Sequence, residues 1–148
     1  MKIYNKLVRD KIPTIIAING NTCKTRIMED DEYLNSLNIK MQEELKEYLP
    51  HREPMLLVDE IDIDTDGVAH ARYRVRDNEF FCMGHFPGNP IVPGVIQCEI
   101  MAQSCALLVK DEIVGKTTLY SGIDNVRFKN TVKPGDLCEV TARLKAKR

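Results

Sequence analysis

No apolar run in this sequence is long and clean enough to cross a membrane. The most apolar segment, Val92 to Val109, is interrupted by Gln97, Glu99, Gln103 and Ser104, and reads as a helix buried in a soluble protein. No stretch near the start joins an apolar run to a small-residue cleavage site, so no secretory leader is expected. An excess of one charge is lacking too. Lys+Arg 21 and Asp+Glu 22 leave a formal net charge of −1, without the basic surplus that favours nucleic acid. The five cysteines (Cys23, Cys82, Cys98, Cys105, Cys138) form no CxxC pair and are odd in number, which fits reduced thiols in a cytoplasmic protein. Internal repeats and low-complexity tracts are missing. What is there is an ordinary globular mixture: 148 residues, 43% hydrophobic and 29% charged, enough for one domain or one domain with a short appendage.

The style of the chain changes near Tyr48. Before it the signals are helical. Pro13 stands near the start of the apolar stretch Ile15 to Ile18, which Asn19-Gly20 ends as a helix C-terminus would. Glu29-Asp30-Asp31-Glu32 opens a second helix, well placed against its dipole. In it Leu34, Leu37, Met41, Leu45 and Leu49 recur at spacings of three and four, an amphipathic stripe. After Pro50 the pattern turns to strands. Met55 to Ile63 ends in alternation, Asp66-Gly67 signals a hairpin, and Val68 to Val75 reads as the returning strand. A Gly/Pro-rich loop leads to a long helix from about Pro93 to Lys110. Two further strands are expected, Leu119 to Phe128 and Leu137 to Leu144, split by the turn Lys133-Pro134-Gly135-Asp136. Strands around a buried helix make an α+β pattern.

The stretch from Gly84 to Val95 (GHFPGNPIVPGV) carries the most chemistry. Its glycines and prolines fix backbone shape and allow a ligand to approach closely. They lead into a helix whose free N–H groups are placed to polarise a carbonyl oxygen. By itself His85 reads as a hydrogen-bonded loop histidine. Glu99 changes the balance, because the helix around it is apolar on nearly every face. A carboxylate there costs several kcal/mol unless it is paired, solvated at a cleft or protonated. The plainer alternative is a Glu at a solvated helix end or a subunit surface. Gln103, one turn on, shares its face and is placed to orient it.

From Leu49 to Arg148 the sequence resembles the 3-hydroxyacyl-[acyl-carrier-protein] dehydratases of type II fatty acid synthesis (FabZ-type). The matching residues are Leu49-Pro50-His51-Arg52, Leu56-Leu57-Val58-Asp59, Gly84-His85-Phe86-Pro87-Gly88, Pro93-Gly94-Val95, Glu99, Met101-Ala102-Gln103, Gly122-Ile123-Asp124 and Arg127-Phe128-Lys129. The resemblance implies a hot-dog fold, an antiparallel sheet wrapped around a long central helix at Pro93 to Lys110. It implies dehydration of a (3R)-3-hydroxyacyl-acyl carrier protein to the trans-2-enoyl form, with His85 and Glu99 catalytic and no metal or other cofactor. A related dehydratase/isomerase family carries Asp at the Glu99 position, so Glu points to plain dehydration. Neutral His85 suits the base at C2. Glu99, its pKa raised by an apolar setting, suits the acid at the C3 hydroxyl. Gly94 and Val95 supply N–H groups to the thioester oxygen, and Phe86 and Gln103 complete the expected substrate site. The implied assembly is a homodimer or a trimer of dimers in which each site takes His from one protomer and Glu from the other. The implied partner is an acidic acyl carrier protein, for which Lys116, Arg127, Lys129 and Lys133 are docking candidates.

Residues 1–48 resemble something else. Tyr4-Asn5-Lys6-Leu7-Val8-Arg9-Asp10-Lys11-Ile12-Pro13, Asn19-Gly20, Cys23-Lys24-Thr25-Arg26 and Gln42-Glu43-Glu44-Leu45-Lys46-Glu47 look like the start of a helical MazG-like nucleoside-triphosphate pyrophosphohydrolase. That family pairs its EExxE acids with a later ExxD to hold Mg²⁺. No helical ExxD follows here, so the acids read as a solvated face. The expected organisation is therefore a helical appendage over 1–48 and a hot-dog domain over 49–148 that lacks the family's final strand hairpin. Two alternatives to the dehydratase remain: a catalytically impaired fusion or interaction protein, and a Mg²⁺-dependent pyrophosphohydrolase. Asp62-x-Asp64-x-Asp66-Gly67 matches half of a calcium loop, but the twelfth position is Tyr73 and the flanks read as strands. A hairpin turn is the better reading. His51 and His70 have no ligand-like neighbours in sequence and are assigned to no metal.

Overall fold

The computed structural model describes residues 7–8 and 11–145, apart from the side chains of Asn38 and Glu44. Tyr4, Asn5, Lys6, Arg9 and Asp10 of the pyrophosphohydrolase-like start therefore lie outside the described residues, as does Glu44 of EExxE for its side chain. The chain divides into two units, Met1–Glu43 and Glu44–Arg148, a little ahead of the boundary the sequence suggests.

In the first unit α1 spans Ile12–Ile18, with Pro13 in its first turn, where a missing N–H costs nothing. Asn19 caps it and Gly20 follows at φ 73°, the left-handed turn expected there. α2 spans Asp30–Tyr48, opening on Asp30, Asp31 and Glu32 and with Lys46 in its last turn. The division between the units falls within this helix. Its expected apolar stripe is buried only toward the end: Leu34 is 56% exposed, whereas Leu45 and Leu49 are 4% exposed.

The second unit is built on an antiparallel sheet in the order β1-β2-β3: β1 Glu60–Ile63, β2 Ala69–Arg74 and β3 Leu137–Ala142. β2 alternates strictly, with Ala69, Ala71 and Tyr73 buried and His70, Arg72 and Arg74 exposed, so one face looks into a core and the other to solvent. Arg72 lies between Glu60 (3.7 Å) and Glu139 (3.2 Å), its cross-strand partners in register. The β1–β2 connection is the hairpin turn read from Asp66-Gly67. Asp64 Oδ1 accepts the N–H groups of Asp66 and Val68, both at 2.9 Å, so this carboxylate caps the turn. Leu45 packs with Val58, Ile61 and Ala71 in one cluster. Leu57, Tyr73, Val75, Phe81, Val92 and Ile100 form the larger core under the sheet. At its edge Tyr73 donates its hydroxyl to buried Glu79, which Arg76 ties to Asp59. A sheet packed on a helix meets the α+β expectation.

Three expectations need correction. Residues 55–59 are not strand, although Leu56, Leu57 and Val58 are buried. There the Gln103 side chain takes the place of a neighbouring strand, as described below. Residues 119–128 are irregular and mostly exposed, with Asn125 at φ 58°. Alternating residues do not make a strand without an edge to pair with, and no ladder along them is present among the described residues. The long helix is broken. α3 Phe80–Met83 precedes the loop, and α4 covers only Gly94–Gln103. A 3-10 turn at Ala106–Val109 and α5 at Lys110–Ile113 then follow. Ser104 Oγ donates back to the Ile100 carbonyl at 2.7 Å, and Cys105 N–H bonds Ala102 in the tighter i−3 pattern. Ser104 N–H still bonds the Ile100 carbonyl at 3.0 Å, and the helix tightens to i−3 bonds only from Cys105 on.

Candidate active site

His85 stands half-buried on the loop between α3 and α4, and Nδ1 lies 2.7 Å from the Ile91 carbonyl oxygen. A carbonyl only accepts, so Nδ1 carries the hydrogen and Nε2 of the neutral ring keeps its lone pair. The loop is held from both sides. Val92 N–H donates to the Val132 carbonyl at 2.8 Å, and Lys133 Nζ reaches Asn89 at 3.3 Å. Phe86 adopts φ 62°, uncommon for a residue with a side chain, and its ring lies 4.3 Å from that of His85.

Glu99 lies on α4 with its side chain 20% exposed. Gln103 Nε2 donates to Glu99 Oε1 at 2.8 Å, and His51 Nε2 is 3.3 Å from the same oxygen. Gln103 is itself fixed: its Oε1 accepts Leu57 N–H and its Nε2 donates to the Met55 carbonyl, both at 2.8 Å. The carboxyl opens on a cavity of about 170 Å³ walled by Leu49, Ala106, Ile113 and Tyr120 among others. Tyr120 donates its hydroxyl to the Cys98 carbonyl at 2.7 Å. Its phenol is pushed up to about 12, by burial first and then by the negative charges of Glu99, Cys98 and Cys105. Arg52 donates to the carbonyls of Leu49 and His51 at 2.7 Å and of Lys46 at 3.2 Å, satisfying the end of α2 and fixing His51.

Glu99, Gln103 and His51 are thus brought together, whereas His85 does not line their cavity. Gly94 and Val95 form the first turn of α4, ahead of the bond from Ile96 N–H to Pro93. A side chain on Gly94 would meet the Phe128 ring at 2.8 Å, so the 125–130 loop closes on the helix start because glycine is there. Arg127 and Lys129 line a second, open groove of about 610 Å³ with Met101 and Val140. Lys116 is exposed beyond α5, and Lys133 lies at the turn before β3. His51 and Tyr120 are the members that sequence spacing missed. They come from far along the chain, and the only signal for His51 was its place in Leu49-Pro50-His51-Arg52. Glu43 and Glu47 are exposed, and His70 pairs with Asp64 at 2.9 Å.

Comparison with known proteins adds a second line. A sequence profile of the ApeI-like family, described as the ApeI dehydratase, matches residues 61–148. The 3-hydroxyacyl-[acyl-carrier-protein] dehydratase FabZ of Caldicellulosiruptor bescii is 46% identical over 105 residues, covering 69% of this chain and 75% of that one. The FabZ of Clostridium perfringens is 50% identical over 103 residues, covering 68% and 74%. That of Bacillus velezensis is 46% identical over 101 residues, covering 66% and 72%. A solved structure, the dehydratase heterocomplex ApeI:P from Xenorhabdus doucetiae, covers 57% of this chain and 71% of its own at 19% identity and a TM-score of 0.45. That likeness is too distant to bear on the site.

Proposed function

Because the chain belongs to the family of FabZ-type 3-hydroxyacyl-[acyl-carrier-protein] dehydratases, we propose that it removes water from a 3-hydroxyacyl thioester carried on acyl carrier protein, with His85 and Glu99 as its base and acid. The observation that carries the assignment is the setting of Glu99: a carboxyl on the wall of a largely apolar cavity, gripped at one oxygen by Gln103. Gln103 holds the carboxyl facing the cavity, where a leaving hydroxyl would be within reach of it.

The reaction balances with these groups alone. His85 Nε2 takes a C2 proton, the C3–O bond breaks, and the hydroxyl leaves as water with the proton from Glu99. The C2–H electron pair becomes the new double bond, and a proton passed from His85 to Glu99 through solvent resets the pair. The N–H groups of Gly94 and Val95 are the candidates to hold the thioester oxygen as it gains charge. Phe86 beside His85 and Gln103 behind Glu99 shape the substrate site. The separation of His85 from the Glu99 cavity supports a homodimer in which each site takes one residue from each protomer. Arg127 and Lys129, with Lys116 and Lys133, supply positive charge to steer an acidic carrier.

The test is hydration of a crotonyl thioester, followed as loss of enoyl absorbance. His85→Ala and Glu99→Ala are each expected to lower kcat by about 10²–10⁴-fold. Parent-level turnover in either variant would refute its assigned role.

A further inference from the structure

Glu99 has two carboxyl oxygens, and both described contacts fall on the same one. Gln103 Nε2 donates to Oε1 at 2.8 Å, and His51 Nε2 stands 3.3 Å from it. Neither side chain is free to wander. Gln103 is tied to the backbone of Met55 and Leu57, and Arg52 secures the carbonyl of His51. The other ring nitrogen of His51, Nδ1, is buried with no hydrogen-bond partner. A hydrogen on Nδ1 would be a buried donor facing nothing, and it would leave a lone pair on Nε2 toward a carboxyl oxygen. The opposite tautomer, with the hydrogen on Nε2, turns that contact attractive and leaves only a bare acceptor at Nδ1.

We infer that His51 is a positioning residue for Glu99: with its hydrogen on Nε2 it joins Gln103 in occupying Oε1, which reserves Oε2 as the oxygen that delivers the proton to the leaving hydroxyl. In a neutral carboxyl the proton avoids the oxygen that already faces two donors. Once the proton has left, the same donors stabilise the carboxylate. His51 thus acts through Glu99 and touches no reacting atom. The delivery step rests on the dehydratase reading above; the tautomer and the His51–Glu99 contact do not.

The experiment uses the full chain. His51→Leu is expected to lower kcat by about tenfold or more, the loss of one charge-assisted hydrogen bond, with KM within about twofold of the parent. His51→Gln, whose amide N–H can reach Glu99 Oε1, is expected to recover most of that kcat. Parent-level kcat in the leucine variant, or a loss carried by KM alone, overturns the inference. So does a glutamine variant that melts with the parent yet turns over no faster than leucine. Long-range proton–nitrogen correlation spectra of the parent settle the tautomer without any turnover. A ring that carries hydrogen on Nε2 is expected, and one protonated at Nδ1 alone overturns the inference even if both variants fail to fold. A parent chain inactive on every acyl thioester would sink the dehydratase reading, while the tautomer would still decide the placement of His51.

Discussion

Gln103 is 2% exposed, and its carbonyl and amide are all engaged inside the protein: Leu57 N–H on one side, Met55 C=O and Glu99 on the other. Gln103→Leu would keep the bulk and strand two backbone groups at once. The expected loss is about 1–3 kcal/mol, read as a lower urea midpoint, together with a fall in kcat as Glu99 loses its grip. An unchanged midpoint would mean that the 55–57 segment finds other partners. Tyr120 gives a pH prediction. Its phenol, pushed up to about 12, stays protonated where an unfolded tyrosine, at about 10, ionises. The folded chain therefore holds the extra proton between those values. The stability linked to it is complete below about pH 10 and is lost as pH rises through about 12. Tyrosinate absorbance, compared between the parent and Tyr120→Phe, should show one late-ionising phenol missing from the variant. A missing phenol that titrates with the exposed tyrosines would contradict it.

At the scale of elements, what the sequence made legible was whatever a local rule governs. The alternation of β2, the turn at Asp66-Gly67, the Asn19-Gly20 end of α1 and the acidic opening of α2 depend on neighbours a few residues away, and each is where it was read. His85 and Glu99 were read as candidates from their motifs, and of the two Glu99 lines the cavity. Most of the misses share a cause: a distant partner decided the outcome. Residues 55–57 look like strand but satisfy their backbone through Gln103, nearly fifty positions on. The central helix gives way after Gln103 to tighter i−3 bonds, with Ser104 Oγ sharing the Ile100 carbonyl at the change. His51 reached the site through the fold, and no spacing announced it. The start of α4 offers a test at this scale. A methyl on Gly94 meets the Phe128 ring at 2.8 Å, so Gly94→Ala should destabilise the parent but not a Phe128→Ala background. A double-mutant cycle by chemical denaturation should return a coupling of about 0.5–1 kcal/mol. Additive effects would mean that the 125–130 loop yields freely.

For the whole molecule the question is whose histidine serves whose glutamate. If each site draws on two protomers, His85→Ala and Glu99→Ala chains are separately inactive but complement each other when refolded together. Random pairing makes half the dimers mixed, and each mixed dimer holds one intact site of two, so about a quarter of parental activity should return. If both residues act within one protomer, no mixture restores anything. Zero recovery, with mixed dimers shown to form and the parent active, would end the shared-site proposal. The same scale covers the pyrophosphohydrolase-like start. With Mg²⁺ and nucleoside triphosphates, the parent should release no more pyrophosphate than a Glu43→Ala, Glu44→Ala control. Turnover lost in that control would reopen the alternative.

The bond from Leu57 N–H to Gln103 has a use beyond holding the chain in place. The amide that accepts this hydrogen is the amide that holds Glu99, so electron density drawn toward the carboxyl at one end is felt at the other. The Leu57 amide proton is therefore a native reporter. Its resonance registers whether the carboxyl carries a proton, from a backbone position that no substrate needs to touch and without any label placed in the cavity.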